Sequence, residues 1–132
     1  MKFCGCVEHL TAKKALASRW GKKQLVWYVQ SDLPGLLRNA FREAVTEALT
    51  RWSAVCDMAF RDLFLIDGNV SSADILIATG PIDGPQGILA WSEMPPANPV
   101  HQRYDTAEQW ITAQRYDVDL ITVICHEMGH AL

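Results

Sequence analysis

The sequence of 132 residues has few cysteines, no excess of basic charge and no long apolar run. Four cysteines are too few for a disulfide scaffold, and Cys56 and Cys125 lie in apolar settings typical of small buried residues, although a disulfide between them stays open. A net charge of -3 provides no broad basic face, which argues against nucleic acid as a partner. No apolar stretch approaches the length of a membrane span. The remaining composition, 49% hydrophobic and 20% charged, is typical of one globular domain with a buried core.

The N-terminal stretch MKFCGCVEHLTAKK lacks the apolar segment of a secretory signal. We therefore expect either a protein that stays inside the cell or a chain whose true N-terminus lies upstream. Residues 1–19 are polar and weakly patterned, and we interpret them as an arm. Residues 20–132 form the predicted domain. Because Leu132 falls within a predicted helix, the C-terminal part of this domain is expected to be missing.

Hydrophobic periodicity predicts strands and two helices in the domain. Runs rich in β-branched and aromatic residues predict strands at 24–30, 58–66, 73–79 and 88–93, and 101–110 is mostly extended or turn. Apolar residues at helical spacing, among them Leu37 and Trp52, predict an amphipathic helix over about 36–54. A last helix begins near Asp117 or Asp119, either of which is a suitable cap. Helices packed on one side of the sheet would bury the apolar face of the amphipathic helix, so the predicted fold class is α+β.

The last helix carries the clearest chemical pattern, His126-Glu127-Met128-Gly129-His130. At 3.6 residues per turn the two histidines share one helix face about 6 Å apart along the axis, so both imidazoles can bind one zinc ion. Glu127 projects beside them and can take a proton from a zinc-activated water. A helix end with two solvated histidines explains the same residues, and the pattern leaves both open. Gly129 is unfavourable in a helix by about 1 kcal/mol against alanine, which indicates either very close packing there or tolerance near a helix end.

Two histidines do not complete a catalytic zinc site, which usually has three protein ligands and one open position. Neither His9 nor His101 has a sequence context that supports it as the third ligand. We expect that ligand beyond Leu132 or elsewhere in the chain. For these 132 residues alone we therefore predict weak zinc binding and little or no peptidase activity.

A glycine-rich loop and three carboxylates form a second candidate site. Asp83, Asp105 and Glu108 offer carboxylate oxygens, and the loop at 83–87 can turn several carbonyl groups inward. Hard cations such as Ca²⁺ take six to eight oxygen ligands of these kinds. An ordinary acidic turn explains the same residues equally well.

Several segments, in their order along the chain, resemble the matrixins, the matrix-metalloproteinase branch of the metzincin zinc endopeptidases. They cover most of residues 20–132 and read KQLVWYV, AFREAVTEALTRWSAV, ADILIA, DGPQGILA, YDTAEQW and VICHEMGHAL. The last resembles the start of the family motif H-E-x-x-H-x-x-G-x-x-H, interrupted within the active-site helix. The resemblance implies a metzincin-like N-terminal subdomain with a twisted mixed sheet, an antiparallel edge strand and two long helices.

The resemblance also implies roles for individual residues. His126 and His130 would be zinc ligands, and Glu127 would be the general base and acid. An extended peptide substrate would pair with the edge strand at Leu89 and Ala90. Calcium would be bound by three side chains and three backbone carbonyls, those of Asp83, Asp105 and Glu108 and those of Gly84, Gln86 and Ile88.

The chain departs from the family at its second metal site and at its N-terminal motif. The family's structural zinc is not expected, because two of its histidine positions read Trp91 and Arg103, and His101 is the only histidine nearby. The family's glycine, third histidine and methionine turn would follow Leu132. KFCGCVE resembles the latency motif P-R-C-G-V-P-D without its arginine and prolines. Cys4 is thus a candidate latency switch; the alternative is an arm without a catalytic role or one that binds another metal.

These features predict one principal function and two alternatives. The principal function is a zinc-dependent metalloendopeptidase that hydrolyses internal peptide bonds of proteins through a zinc-activated water. The alternatives are a non-catalytic matrixin-like binding module, and a zinc hydrolase of another clan whose last ligand is a glutamate on a later helix. We expect extended protein or peptide substrates, a monomer and no membrane span, and the resemblance implies secretion. Cleavage specificity cannot be read from these residues.

Overall fold

The computed structural model describes the backbone of residues 2–4, and describes residues 20–37, 39–66, 69–85, 87–111 and 118–132. The strands are β1 (Lys2–Cys4), β2 (Gln24–Val29), β3 (Ala59–Asp62), β4 (Ile75–Gly80), β5 (Ile88–Ser92), β6 (Val100–Asp105), β7 (Trp110–Ile111) and β8 (Val118–Asp119). The helices are α1 (Ala40–Ser53) and α2 (Leu120–Ala131), with short 3₁₀ turns at Leu63–Leu65 and Val70–Ser72. None of the described helices has both the length and the apolar character needed to cross a membrane.

Six strands form one mixed sheet in the order β1-β5-β6-β4-β2-β3. Strands β6, β4, β2 and β3 pair in parallel, while β5 runs antiparallel to β6. The predicted α+β class and the antiparallel strand are therefore confirmed. On its outer side β5 carries β1, which pairs with it in parallel, Lys2 opposite Ile88 and Cys4 opposite Ala90.

The two helices pack against each other and against the sheet, and share one hydrophobic core with it. The helical face of α1 that carries Phe41, Val45 and Leu49 is almost completely buried, as the apolar spacing predicts. Edge-to-face contacts join Phe41, Tyr104 and Trp110, with ring centroids 5.3 Å and 6.0 Å apart. These aromatic contacts hold α1 over β6, next to the helix that carries the histidines.

The predicted helix over 36–54 begins later than expected. Its first residue is Ala40, and Leu37 is 86% exposed, so the placement of Leu37 on the buried stripe is wrong. The reason is local, because Gly35 and Asn39 both adopt left-handed backbone with φ of 85° and 66°, which ends any helix through them.

Two extended segments also differ in length from their predictions. The strand predicted at 58–66 ends at Asp62, whose side chain accepts a hydrogen bond from the backbone N–H of Phe64 (3.0 Å) and starts a 3₁₀ turn. The segment predicted as extended or turn at 101–110 supplies a full strand, β6, between β4 and β5. Strand β6 is buried because it pairs on both sides, which its polar sequence VHQRYD does not indicate.

Candidate metal centre

Helix α2 begins at a capping aspartate. The side chain of Asp119 accepts hydrogen bonds from the backbone N–H of Ile121 (3.2 Å) and the hydroxyl of Thr122 (2.7 Å). Of the two predicted caps, Asp119 is therefore the one observed, and Asp117 lies outside the described residues. This start places the H-E-x-x-H segment in the second half of the helix.

His126 and His130 project from one face of α2, as their spacing predicts. Their ring centroids lie 5.0 Å apart, and the planes cross at 82°. His126 is partly exposed, whereas His130 is only 7% exposed. Two imidazoles at this separation suit a single tetrahedral metal ion, for which nitrogen ligands are typical.

Glu127 is the most unusual group in this part of the molecule. Its side chain is fully buried, and neither carboxylate oxygen has a hydrogen-bond partner. Burial raises the pKa of this carboxyl to about 8. A buried carboxylate without a partner is costly, and such groups usually serve a metal, a water or a reaction. The donor set of two imidazoles and one unsatisfied carboxylate fits a catalytic zinc ion and a reacting water.

A third ligand is not found among the described residues, where no group of three histidine, cysteine or acidic side chains could hold a metal. His101 lies on β6 and is exposed, and its Nδ1 is 2.6 Å from Oε1 of Glu93. His9 falls outside the described residues.

The predicted substrate strand lies beside the histidine helix. Leu89 and Ala90 are almost completely buried in the core that β5 shares with α2, so only their backbone can contact a peptide. The outer backbone edge of this part of β5 is paired with β1. Cys4 therefore lies, by backbone register, opposite Ala90 on the predicted peptide-binding edge.

The predicted calcium residues come together only in part, and in the described structure their three carboxylates do not form a group that could hold a metal. The backbone N–H of Asp83 points at Oδ2 of Asp105 (3.4 Å), and the backbone N–H of Glu108 at the carbonyl of Asp105 (3.5 Å). Asp105 and Glu108 are both buried. The carboxylate of Asp83 accepts hydrogen bonds from the backbone N–H of Ile88 (2.9 Å and 3.1 Å) and lies so close to Gly87 that a Cβ there would be 2.4 Å from it. Gly84 has a φ of 87°, and Gln86 lies outside the described residues.

Trp91 and Arg103 stand directly opposite each other on β5 and β6. The Arg103 guanidinium lies over Gly80, where a Cβ would be only 2.1 Å from its terminal nitrogen. Large side chains thus stand at the two positions that the resemblance to matrixins assigns to a structural zinc. Their chemistry does not suit a second zinc ion, because neither offers a zinc-binding atom.

The structure also shows the surroundings of Cys56 and Cys125, and of Gly129, the glycine that is unfavourable within a helix. Cys56 and Cys125 are both free thiols, partly buried, and the pKa of each is raised chiefly by burial. A Cβ on Gly129 would lie 3.1 Å from Cζ2 of Trp52, so close packing, one of the two explanations left open for this glycine, is the one observed. Sequence reasoning missed the partner, since Trp52 had been assigned only to the apolar stripe of α1. The unfavourable glycine was the one signal that pointed to it.

Two histidines with a buried glutamate between them in sequence, on a helix packed against a mixed sheet with an antiparallel strand, are features of a metallopeptidase family. The matrixin family of peptidases, M10, matches residues 19–132, and the chain belongs to this family.

Individual relatives are similar over most of the chain. Stromelysin-3 of Mus musculus is 34% identical over 125 residues, which are 86% of this chain and 24% of that protein. Matrix metalloproteinase-19 of Homo sapiens is 29% identical over 131 residues, 92% of this chain and 24% of that protein. Karilysin of Tannerella forsythia is 31% identical over 127 residues, 87% of this chain and 26% of that protein. The chain thus spans about a quarter of the length of these curated relatives.

Proposed function

We propose that the protein is a zinc-dependent metalloendopeptidase that hydrolyses internal peptide bonds of protein substrates. The observation that carries this proposal is the fully buried carboxyl group of Glu127, which has no hydrogen-bond partner and lies in sequence between two histidines whose ring centroids are 5.0 Å apart. A non-catalytic binding module would have no use for a group that is so costly to bury. Membership of a peptidase family points to the same chemistry.

His126 and His130 would hold the metal through ring nitrogens. Bound zinc would supply Lewis acidity and make a nearby water more acidic. Glu127 would accept the proton of that water at a carboxylate oxygen and return it to the leaving amine. Without metal, burial raises the pKa of Glu127 to about 8, and a zinc cation beside it would lower that pKa and so favour the carboxylate that accepts the proton.

Strand β5 would bind the substrate in extended conformation. The backbone groups on the outer edge of Leu89 and Ala90 are those that a peptide strand would use. In the structure β1 pairs along this edge, in parallel, so β1 and a substrate strand would compete for the same backbone groups.

Metal-dependent peptide cleavage tests the proposal. The protein expressed from the complete reading frame around this chain should cleave a quenched fluorescent peptide library. A zinc chelator should abolish cleavage, and added zinc should restore it. The 132-residue chain is the matched comparison, and is expected to bind zinc weakly and to cleave little. Cleavage that survives complete removal of zinc, or a metal-loaded protein that binds peptides without cutting them, would contradict the proposal.

We further propose that Asp83, Asp105 and Glu108, with the carbonyls of Gly84, Gln86 and Ile88, bind a structural calcium ion. Burial of Asp105 and Glu108 supports this, because buried carboxylates are commonly paired with cations. The Asp83 carboxylate would have to turn from the backbone N–H of Ile88 toward the ion, or bind the ion and this N–H at the same time. We do not propose a second, structural zinc ion.

Calcium is expected to stabilise the domain. At a calcium concentration about 100 times the Kd, the linkage is worth about 2.7 kcal/mol, which corresponds to a rise in Tm of roughly 5–15 °C. Thermal unfolding with and without Ca²⁺ measures it. Asp105→Asn should remove most of the rise, while Asp57→Asn, at an exposed carboxylate paired with Lys23, should retain it. An equal rise in both variants would rule out this site.

We also propose that Cys4 is a latency switch, whose thiolate would cap the metal while β1 covers the peptide edge of β5. The parallel pairing that sets Cys4 opposite Ala90 supports this, because it brings the backbone of Cys4 alongside the strand next to α2. The missing arginine and prolines of the family motif would make such a switch weaker than in its relatives.

Replacing Cys4 should raise the initial rate of peptide cleavage. If capping is worth about 1.4 kcal/mol, Cys4→Ala should be about tenfold faster than the unmodified protein before any processing. Cys6→Ala, two residues along the same arm, is the matched control and should leave the rate unchanged. Equal activation by the two substitutions would point to loosening of the arm instead of a thiol switch.

The proposed setting is that of a secreted monomer that acts on extracellular proteins, as the resemblance implies.

A further inference from the structure

Two tryptophan indoles donate hydrogen bonds to the helix that carries the histidines. Nε1–H of Trp52, on the last turn of α1, donates to the carbonyl of Cys125 at 2.8 Å. Nε1–H of Trp20, just before β2, donates to the carbonyl of Ala131 at 3.0 Å. These partners lie 73 and 111 residues apart along the chain, so both bonds are purely tertiary.

The two accepting carbonyls bracket the H-E-x-x-H segment. Cys125 directly precedes His126, and Ala131 directly follows His130. Within a helix, the carbonyl oxygen of Cys125 already accepts a hydrogen bond from the N–H one turn later. The indole N–H of Trp52 therefore donates to the second lone pair of this oxygen. Hydrogen bonds at both ends of a segment fix its position along the helix axis.

Contacts on both sides of the histidine face also fix the rotation of the helix. At about 100° per residue, Val123 and Glu127 lie about 60° and 100° to one side of His126, and both are buried in the core. Gly129 and Cys125 lie about 60° and 100° to the other side, and both contact Trp52. Between these sides remains the face that carries His126, His130 and the exposed Thr122.

We propose that Trp52 and Trp20 are positioning residues for the metal centre. Trp52 sets the rotation and Trp20 the axial position of α2, and together they align the two imidazoles before a metal arrives. This inference rests on the proposed function, and neither tryptophan touches the metal or the substrate. Gly129 contributes to this positioning, because a Cβ there would lie 3.1 Å from Cζ2 of Trp52, and the ring or the helix would have to shift by a few tenths of an ångström.

Alignment of this kind matters because metal–nitrogen distances tolerate errors of only about 0.2 Å. Groups that orient ligands typically change metal affinity by about 10–100-fold when they are removed. A tryptophan that merely fills the core would change the stability of the fold and leave the metal affinity of folded molecules unaltered. Metal affinity therefore separates the two roles.

The test uses the full chain and Co²⁺, whose visible absorption reports both affinity and geometry. Trp52→Phe and Trp20→Phe remove one indole N–H each and should weaken Co²⁺ binding by about tenfold, with an altered spectrum. Trp110→Phe is the matched control, because it removes an equally short indole bond that ends outside α2, at the carbonyl of Asp105 (2.7 Å). It should lower the urea midpoint but change Co²⁺ affinity by less than about twofold. Unchanged affinity in the Trp52 and Trp20 variants, or an equal loss in the control, would overturn the proposal.

Amide hydrogen exchange of the metal-free chain provides a second measurement. In Trp52→Phe the protection of residues 125–132 should fall by about tenfold more than that of β4 and β6, since α2 alone loses its anchor. A uniform loss would overturn the positioning role. If the unmodified chain binds no Co²⁺ at all, the metal centre fails, while the exchange pattern still decides whether the indoles hold α2.

A double-mutant cycle tests the part played by Gly129. Gly129→Ala should weaken Co²⁺ binding in the unmodified chain, where its methyl meets the Trp52 ring. In the Trp52→Phe background the outer ring atoms are gone, so the same change should have little further effect. Equal effects in both backgrounds would show that Trp52 is not the contact that matters.

Discussion

Replacement of Glu127 by glutamine is expected to reduce kcat/KM for peptide hydrolysis by about 10²–10⁴-fold, the usual contribution of a general acid and base. Glutamine preserves the shape of the side chain but can neither take nor return a proton. Zinc binding should persist, because Glu127 is not among the proposed ligands. Cleavage of a fluorescent peptide at saturating zinc by the protein expressed from the complete reading frame measures the loss, and zinc content measured on the same sample shows that the site is filled.

The same substitution should make the metal-free chain more stable. Folding at neutral pH requires Glu127 to take up a proton, because burial raises its pKa from 4.5 to about 8, and glutamine removes that cost. In urea titrations at pH 7 with chelator present, the free energy of unfolding is expected to rise by about 1–3 kcal/mol, and the gain should shrink as the pH falls toward 4.5. Glu47→Gln is the matched control, since Glu47 is half exposed and pairs with Arg51 on the surface of α1. Lost activity combined with lost stability would mean that Glu127 supports the fold and has no special role in the reaction.

The second large effect is expected at the paired histidines. His126→Ala and His130→Ala should each weaken zinc or cobalt binding by more than about 100-fold, beyond what the loss of a merely supporting group costs. The reason is that a site with few ligands loses a large share of its binding free energy with each one. Titration against a chelator of known affinity measures the change.

His101→Ala is the control for these two variants. His101 is an exposed histidine on β6 whose ring pairs with Glu93, and its removal should leave metal affinity unchanged. If all three substitutions have the same effect, the histidines bind metal independently and His126 and His130 do not form one site.

Much of the fold could be predicted because it depends on local patterns. The apolar spacing in 40–53 and the β-branched runs at 24–29 and 75–80 decide helix or strand over a few residues, and the structure follows them. One prediction was incomplete because distant partners decide the outcome, and another was wrong for a local reason. Strand β6 is polar in sequence, and it is a buried strand because β4 and β5 hydrogen-bond to both its edges. Leu37 fits a helical stripe, but left-handed backbone on both sides of it keeps it outside the helix.

The features of the metal centre also separate into those that the local sequence determines and those that tertiary packing determines. By itself, the sequence determined that His126 and His130 share a helix face with Glu127 beside them, because the pitch of a helix depends only on the backbone. Only the tertiary structure decided that Glu127 is buried without a partner, and that two indoles bond the carbonyls on either side of the motif. Those hydrogen bonds come from tryptophans 73 and 111 residues away, whose approach no local spacing encodes. They depend on how the helices and the sheet pack around α2, and that packing sets the position and the electrostatics of the three side chains.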